Sequence, residues 1–247
     1  MLKPLIISIG MPRAGSGWHY NLIHDLVVAS GGEDARLVRK RFLLGPILTE
    51  VNCNIGAFTL KRLIPVMIPA LLGKKYVIKA HAGPTSFVMG LINLGQIIPI
   101  YIYRDPRDAL LSAFEYGKAK RDSQRAGAFS ELLTIEQAIE FMKDYVKISE
   151  QWLECHKALH CRYEDLLLDY RAEVKRLLDF LNIDLDDENV QKVIAVYQPD
   201  KGSGNQKGTH FKQGLTGRYK EHLSEEQKAL CIQVFGSYLD RVGYPRE

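Results

Sequence analysis

The chain sets an apolar run, Leu5-Ile6-Ile7-Ser8-Ile9-Gly10, directly before the stretch Pro12-Arg13-Ala14-Gly15-Ser16-Gly17-Trp18. A short apolar run closed by glycine reads as a buried strand, and the Gly/Ser-rich stretch beyond it as a tight turn opening a helix. Strand, turn and helix in this order aim backbone N–H groups and a helix N-terminus at one point, an anion site suited to phosphate. The turn is not a Walker loop, which needs Lys and Ser/Thr after its last glycine; Ser16 and Gly17 stand there instead. Its one cation, Arg13, precedes both glycines.

Strand-like and helix-like runs alternate along the rest of the chain. The first helix is expected over Ser16–Ala29, with Leu22, Ile23, Leu26 and Val27 as its apolar stripe. Residues 32–60 show no clear period, and Leu60–Leu72 reads as a helix disturbed by Pro65 and Pro69. Further strands are expected at Tyr76–His81, Ile100–Tyr103 and His160–Tyr163. Helices are expected from Asp105 onward, with that residue as N-cap and Pro106 at the first position, and over 135–156, 169–182, 187–197 and 224–240. Residues 199–219, with five glycines among Lys201, Lys207, Lys212 and Arg218, read as a long basic loop of functional type. The alternation implies one α/β domain over 1–247, a mostly parallel sheet covered by helices on both faces. In such sheets ligands gather beyond the carboxyl ends of the strands.

Composition narrows the partners. With 33 Lys+Arg against 29 Asp+Glu the net charge is only +4, and no basic run exceeds a few residues, so a small anion fits better than nucleic acid. The longest apolar segment, Leu63–Leu72, contains two prolines and is about half the length of a membrane span. The start of the chain lacks the core of a signal peptide, and a cytoplasmic location is expected. Cys53, Cys155, Cys161 and Cys231 form no CxxC pair and read as reduced, buried thiols. His156 and His160 are four apart but straddle a helix end, His19, His24, His210 and His222 show no ligand spacing, and no metal site is expected.

Two positions carry the chemistry. Lys79 and His81 are two apart on the second strand and share a face. An otherwise apolar strand bears two ionisable groups only at a cost, which suggests a general base beside a cation that stabilises developing charge. Arg104, at the end of the third strand, and Ser112, in the helix after it, supply a planar donor fork and a hydroxyl for a phosphate. Asp105 and Asp108 have sufficient roles as helix caps. By spacing, Trp18 suits the core better than a ligand contact, although an aromatic beside a phosphate turn can also stack on a base; Tyr163 poses the same choice.

Together these pieces resemble the sulfotransferases that use 3′-phosphoadenosine 5′-phosphosulfate (PAPS), the cytosolic and bacterial type. The resemblance rests on the loop Pro12–Trp18, the K-x-H of Lys79 and His81, and the R-x7-S of Arg104 and Ser112. It extends to Tyr163-Glu164-Asp165-Leu166 and to the frame Lys212-Gln213-Gly214-Leu215-Thr216-Gly217-Arg218-Tyr219-Lys220. It implies a P-loop-like α/β/α fold in which Arg13, Ala14, Gly15, Ser16 and Gly17 hold the 5′-phosphosulfate. His81 is then the catalytic base, assisted by Lys79 and Arg13. Arg104 and Ser112 grip the 3′-phosphate, Trp18 and Tyr163 border the adenine, and Lys212, Gln213 and Gly214 close over the nucleotide. Gln213, Arg218 and Tyr219 depart from the family's pattern, and its dimer-forming segment is not recognisable, so no oligomeric state is implied.

The implied reaction moves a sulfuryl group from PAPS to a hydroxyl or amine of a small-molecule acceptor, without a metal. Residues 32–60, 82–96 and 117–134 are expected to shape the acceptor pocket, with Phe42, Phe58, Phe87, Met89 and Phe129 as its apolar side chains. The basic stretch Lys118–Arg125 reads as a solvated helix end. Two alternatives remain at this point. A P-loop-type kinase needs a Walker Lys and Mg²⁺, and a non-catalytic phosphoadenosine-binding module has no need of Lys79 and His81.

Overall fold

A computed structural model describes residues 3–125, 127–199 and 215–247. Four strands, β1 (Leu5–Gly10), β2 (Val77–Ala80), β3 (Ile97–Tyr103) and β4 (Leu159–Arg162), pair in the order β2-β1-β3-β4, every pair parallel. All six residues of β1 are buried, as a central parallel strand covered on both faces requires. Burying Leu5, Ile6, Ile7 and Ile9 stabilises the fold by roughly 1.5–3 kcal/mol per side chain.

The helices flank this sheet: α1 (Ser16–Ala29), α2 (Ala35–Arg41), α3 (Leu60–Leu71), α4 (Ser86–Asn93), α5 (Pro106–Asp122), α6 (Ile135–Leu153), α7 (Tyr163–Leu168), α8 (Tyr170–Leu181), α9 (Glu188–Val196), α10 (Tyr219–His222) and α11 (Glu225–Val242). One apolar cluster joins the strands to α1, α3 and α8; a second joins Met11 and Ala14 to α5, α6 and α11. Their ends carry the expected signals. Asp105 accepts from Arg107 N with Pro106 at N1, Ser224 and Gln227 form a capping box, and Gly243 ends α11 at φ 74°. The four cysteines are buried and free.

Three expectations are corrected. The third strand begins at Ile97 rather than Ile100 and runs through Pro99. Leu5 N and Met11 N bond to Gln96 O and Ile102 O, so even-numbered residues of β3 face β1. Pro99 therefore faces the β4 side, ahead of the first pair there, Ile100↔Leu159, where its missing N–H has no ladder to break. The fourth strand stops at Arg162, opposite the last residue of β3, and Tyr163 opens α7 instead of ending a strand. Within 82–96 lies the unforeseen α4, started by Thr85, whose hydroxyl accepts from Val88 N.

Candidate active site

The carboxyl ends of β1, β2 and β3 lie side by side, with Ile9 opposite Ala80 and Gly10 opposite Ile102. The segments leaving them surround a cavity of about 850 Å³. After β1 the chain turns sharply, with Arg13 at φ 65° and Gly15 at φ 74°, and α1 begins. Among the described residues no side chain caps α1, and its first residues Ser16, Gly17 and Trp18 line the cavity, which leaves the first-turn N–H groups available to an anion there. Gly15 is required twice. Its φ is left-handed, and a Cβ there would meet the Tyr163 ring at 2.5 Å. Ala14, the turn residue that does not line the cavity, is fully buried in the second apolar cluster.

Lys79 and His81 both line the cavity from the end of β2. His81 Nδ1 lies 2.6 Å from Gly10 O, which can only accept, so Nδ1 carries the proton and Nε2 keeps its lone pair. Burial, then the charge of Lys79, lower the His81 pKa to about 4, so the ring is neutral near pH 7. Burial, then the charge of Arg13, bring Lys79 down to about 8. Arg13 is itself pushed down, chiefly by burial and further by Arg104.

Arg13 joins the turn to α5, its Nε donating to Ser112 Oγ at 3.1 Å. Arg104 lies over the Tyr163 ring at 4.4 Å and donates to Leu215 O at 2.7 Å. Its Nη1 donates to Arg13 O at 3.4 Å, while its buried Nε has no acceptor among the described residues. Trp18 is only 2% exposed, stacked on Tyr170 with centroids 6.1 Å apart and donating to Tyr197 O, yet it still contributes to the cavity wall.

Asp108 is more than the helix cap expected of it. Its carboxylate accepts from Arg104 Nη2 (3.3 Å), Gly217 N (2.7 Å) and Tyr219 N (3.1 Å), fastening the segment after residue 214 across the site. Arg218 makes two hydrogen bonds to Glu115, and both residues line the cavity. Tyr219, 3% exposed, lies under the Arg107 guanidinium at 4.0 Å. The departures at 218 and 219 thus serve to anchor this segment.

Tyr116, Phe129, Phe141 and Tyr145, their rings in successive contact, form an aromatic part of the cavity wall, and Thr49, Asn52 and Asn54 also line the cavity. Of the five apolar residues expected there, Phe129 alone lines it. Phe58 is buried edge-on to Trp152, Phe42 packs against the first apolar cluster at the end of α2, and Phe87 and Met89 lie on α4, which does not line the cavity. Lys212, Gln213 and Gly214 lie outside the described residues.

The sulfotransferase domain family matches residues 72–243, well over half of the chain. The chain belongs to the sulfotransferase family. It is a PAPS-dependent sulfotransferase with the family's P-loop-like α/β fold. Sulfotransferase 6B1 of Danio rerio is 22% identical over 245 residues, covering 95% of this chain and 78% of that protein. Mouse sulfotransferase SULT7A1, solved with PAP, superposes with a TM-score of 0.65 at 16% identity over 96% of this chain and 85% of that one. A retinol dehydratase solved with androsterone and inactive cofactor PAP gives 0.59 at 18% identity, over 97% of this chain and 82% of that one. These structures share the fold of this sulfotransferase.

Arg13, Gly15, Ser16, Gly17, Trp18, Lys79, His81, Arg104, Ser112 and Tyr163 of this sulfotransferase all border one cavity. Glu115, Tyr116, Phe141 and Tyr145 border it too, without a signal of their own in the sequence. On α5 and α6 their spacing is that of any helix face, and nothing in the sequence separates a cavity-facing aromatic from a core one.

Proposed function

We propose that this enzyme transfers a sulfuryl group from PAPS to a hydroxyl or amine of a partly apolar small molecule bound against the aromatic wall. The observation that carries this is a crowd of cations short of anions. Arg13, Arg104 and Lys79 converge on the uncapped α1 N-terminus, and the pKa values of Arg13 and Lys79 are depressed by burial and by neighbouring positive charge. A bound anion relieves that strain, and the orphaned Arg104 Nε supplies a donor for it.

In this reading the turn amides and Arg13 hold the 5′-phosphosulfate. Arg104 and Ser112 take the 3′-phosphate, and Tyr163 with the edge of Trp18 takes the adenine. The acceptor oxygen or nitrogen attacks sulfur in line, and its proton passes to the free Nε2 of His81. The bond from sulfur to the bridging phosphate oxygen breaks, and Lys79 and Arg13 neutralise the charge gathering on the departing PAP. In this reading Arg13, Lys79 and the turn amides do the charge neutralisation, and no metal takes part. The residues act as one sulfotransferase domain in the cytoplasm. The retinol dehydratase was solved with androsterone, a small apolar molecule, which agrees with this acceptor class.

Calorimetric titration with PAP, AMP and ATP–Mg²⁺, with and without EDTA, tests the donor site. Selective binding of PAP in EDTA is expected; tighter binding of ATP–Mg²⁺ overturns the reading. His81→Ala is expected to lose on the order of 10²–10⁴-fold in turnover with PAP affinity retained. Near wild-type turnover in that variant refutes the base assignment. Arg104→Ala is expected to weaken PAP binding.

A further inference from the structure

Helix α3 is apolar on two faces, and only one of them has a partner. Leu63, Val66, Met67 and Ala70 are buried in the core, whereas Leu60, Ile64, Ile68, Leu71 and Leu72 are 44–65% exposed. Leu60, Ile64, Ile68 and the C-cap Leu72 recur at every fourth residue, with Leu71 beside the last, and form one stripe along a helix about 18 Å long. An apolar stripe of this kind on a surface helix marks a contact.

The charges around it say with what. From Leu60 to Lys75 the chain carries Lys61, Arg62, Lys74 and Lys75 and no acidic residue, so both ends of the helix are basic. At the C-terminal end the backbone N–H of Lys3 bonds to Ala70 O, bringing in another lysine. The carboxylate beside them, Glu33, is shared between Lys74 (2.7 Å) and Arg41 (3.2 Å), which leaves an excess of cations. One turn before Arg41 on α2, Leu37 is 57% exposed and extends the apolar character toward that end.

We propose that α3 docks on an anionic lipid surface, its stripe sunk into the headgroup–acyl boundary and its terminal cations on lipid phosphates. No described helix is long and apolar enough to cross a membrane, and α3, at 12 residues, lies along the surface. A second copy of the chain fits the stripe poorly. Because both ends are basic, two α3 helices packed in either direction set cation against cation. Five side chains on one helix are also few beside the ~20–30 residues a side of a standard interface. The docked face adjoins the cavity: Arg62 Nη1 donates to Ile55 O at 2.7 Å, tying α3 to the segment whose Thr49, Asn52 and Asn54 line it.

Flotation of the full chain with phosphatidylcholine vesicles, with and without phosphatidylglycerol, tests the proposal. Wild type is expected to float with the anionic vesicles, to bind neutral ones at least roughly tenfold more weakly, and to be released by high salt. The double variant Ile64→Ser, Ile68→Ser is expected to lose vesicle binding while keeping its melting temperature and PAP affinity. Lys61→Gln is expected to weaken vesicle binding about fivefold. The proposal fails if wild type floats with neither vesicle or the double variant floats like wild type. It fails equally if wild type is a dimer that the double variant converts to monomer, which assigns the stripe to a second copy.

Discussion

A hydrogen bond to Gly10 O fixes which nitrogen of His81 is free, and burial fixes its charge. The pKa values of the free enzyme set the limbs of a bell-shaped kcat/KM profile. On the proposed mechanism, protonating His81 removes the base below about pH 4, and deprotonating Lys79 removes a cation above about pH 8. A bound anionic donor favours the charged form of both, so the limbs of kcat are expected at higher pH than those of kcat/KM. Stopped-rate assays across pH check this, and identical limbs for the two parameters contradict it. Asp108 supplies the second residue-scale prediction. In Asp108→Asn an amide N–H₂ faces donors where an oxygen had accepted from Arg104, Gly217 and Tyr219, at a cost of about 1–3 kcal/mol. PAP affinity is expected to fall roughly tenfold or more, with the far-UV spectrum unchanged; calorimetry decides.

Among the elements, α5 brings three side chains to the cavity, Ser112, Glu115 and Tyr116, and through them Arg13 and Arg218. Gly117 lets the following loop cross it closely. A Cβ there would lie 2.0 Å from Phe129 O, a backbone atom that cannot step aside alone. Gly117→Ala is expected to displace Phe129, lower stability by about 1–3 kcal/mol and raise the acceptor KM more than the donor KM. Equal changes in both KM values would mean that the loop does not shape the acceptor site. The same scale shows why 32–60 was opaque in sequence. Its one helix, α2, has seven residues, and the rest is held by Arg36 Nε on Val51 O and Arg39 Nε on Leu48 O. Contacts from arginine to distant carbonyls leave no periodic trace.

For the molecule as a whole, acid stability is decided by histidines that fold away neutral. His19 is fully buried, with Nδ1 3.0 Å from Ser8 Oγ, and burial lowers its pKa to about 3. Below pH 6.5 the unfolded chain gains protons that folded His19 and His81 refuse, so stability falls as pH drops toward 4. The urea midpoint is expected to decline over that interval, and His19→Asn to flatten the decline while lowering the midpoint at neutral pH. An unchanged slope in the variant would remove His19 from this account.

The sequence determined on its own the parallel α/β class, the turn at Pro12–Trp18, the alignment of Lys79, His81 and Arg104 with strand ends, and the spacing from Arg104 to Ser112 on the next helix. Each is local: an apolar run, a glycine where φ must be positive, or a fixed spacing from a strand terminus. Tertiary structure alone decided the acceptor wall, the fastening of residues 215–219 by Asp108, and the exposure of one apolar face of α3. Those depend on which side of a helix meets the core. Tyr116 or Ile68 carries the same apolar signal whether it packs inward, lines a cavity or faces outward, and only the positions of its neighbours select among the three.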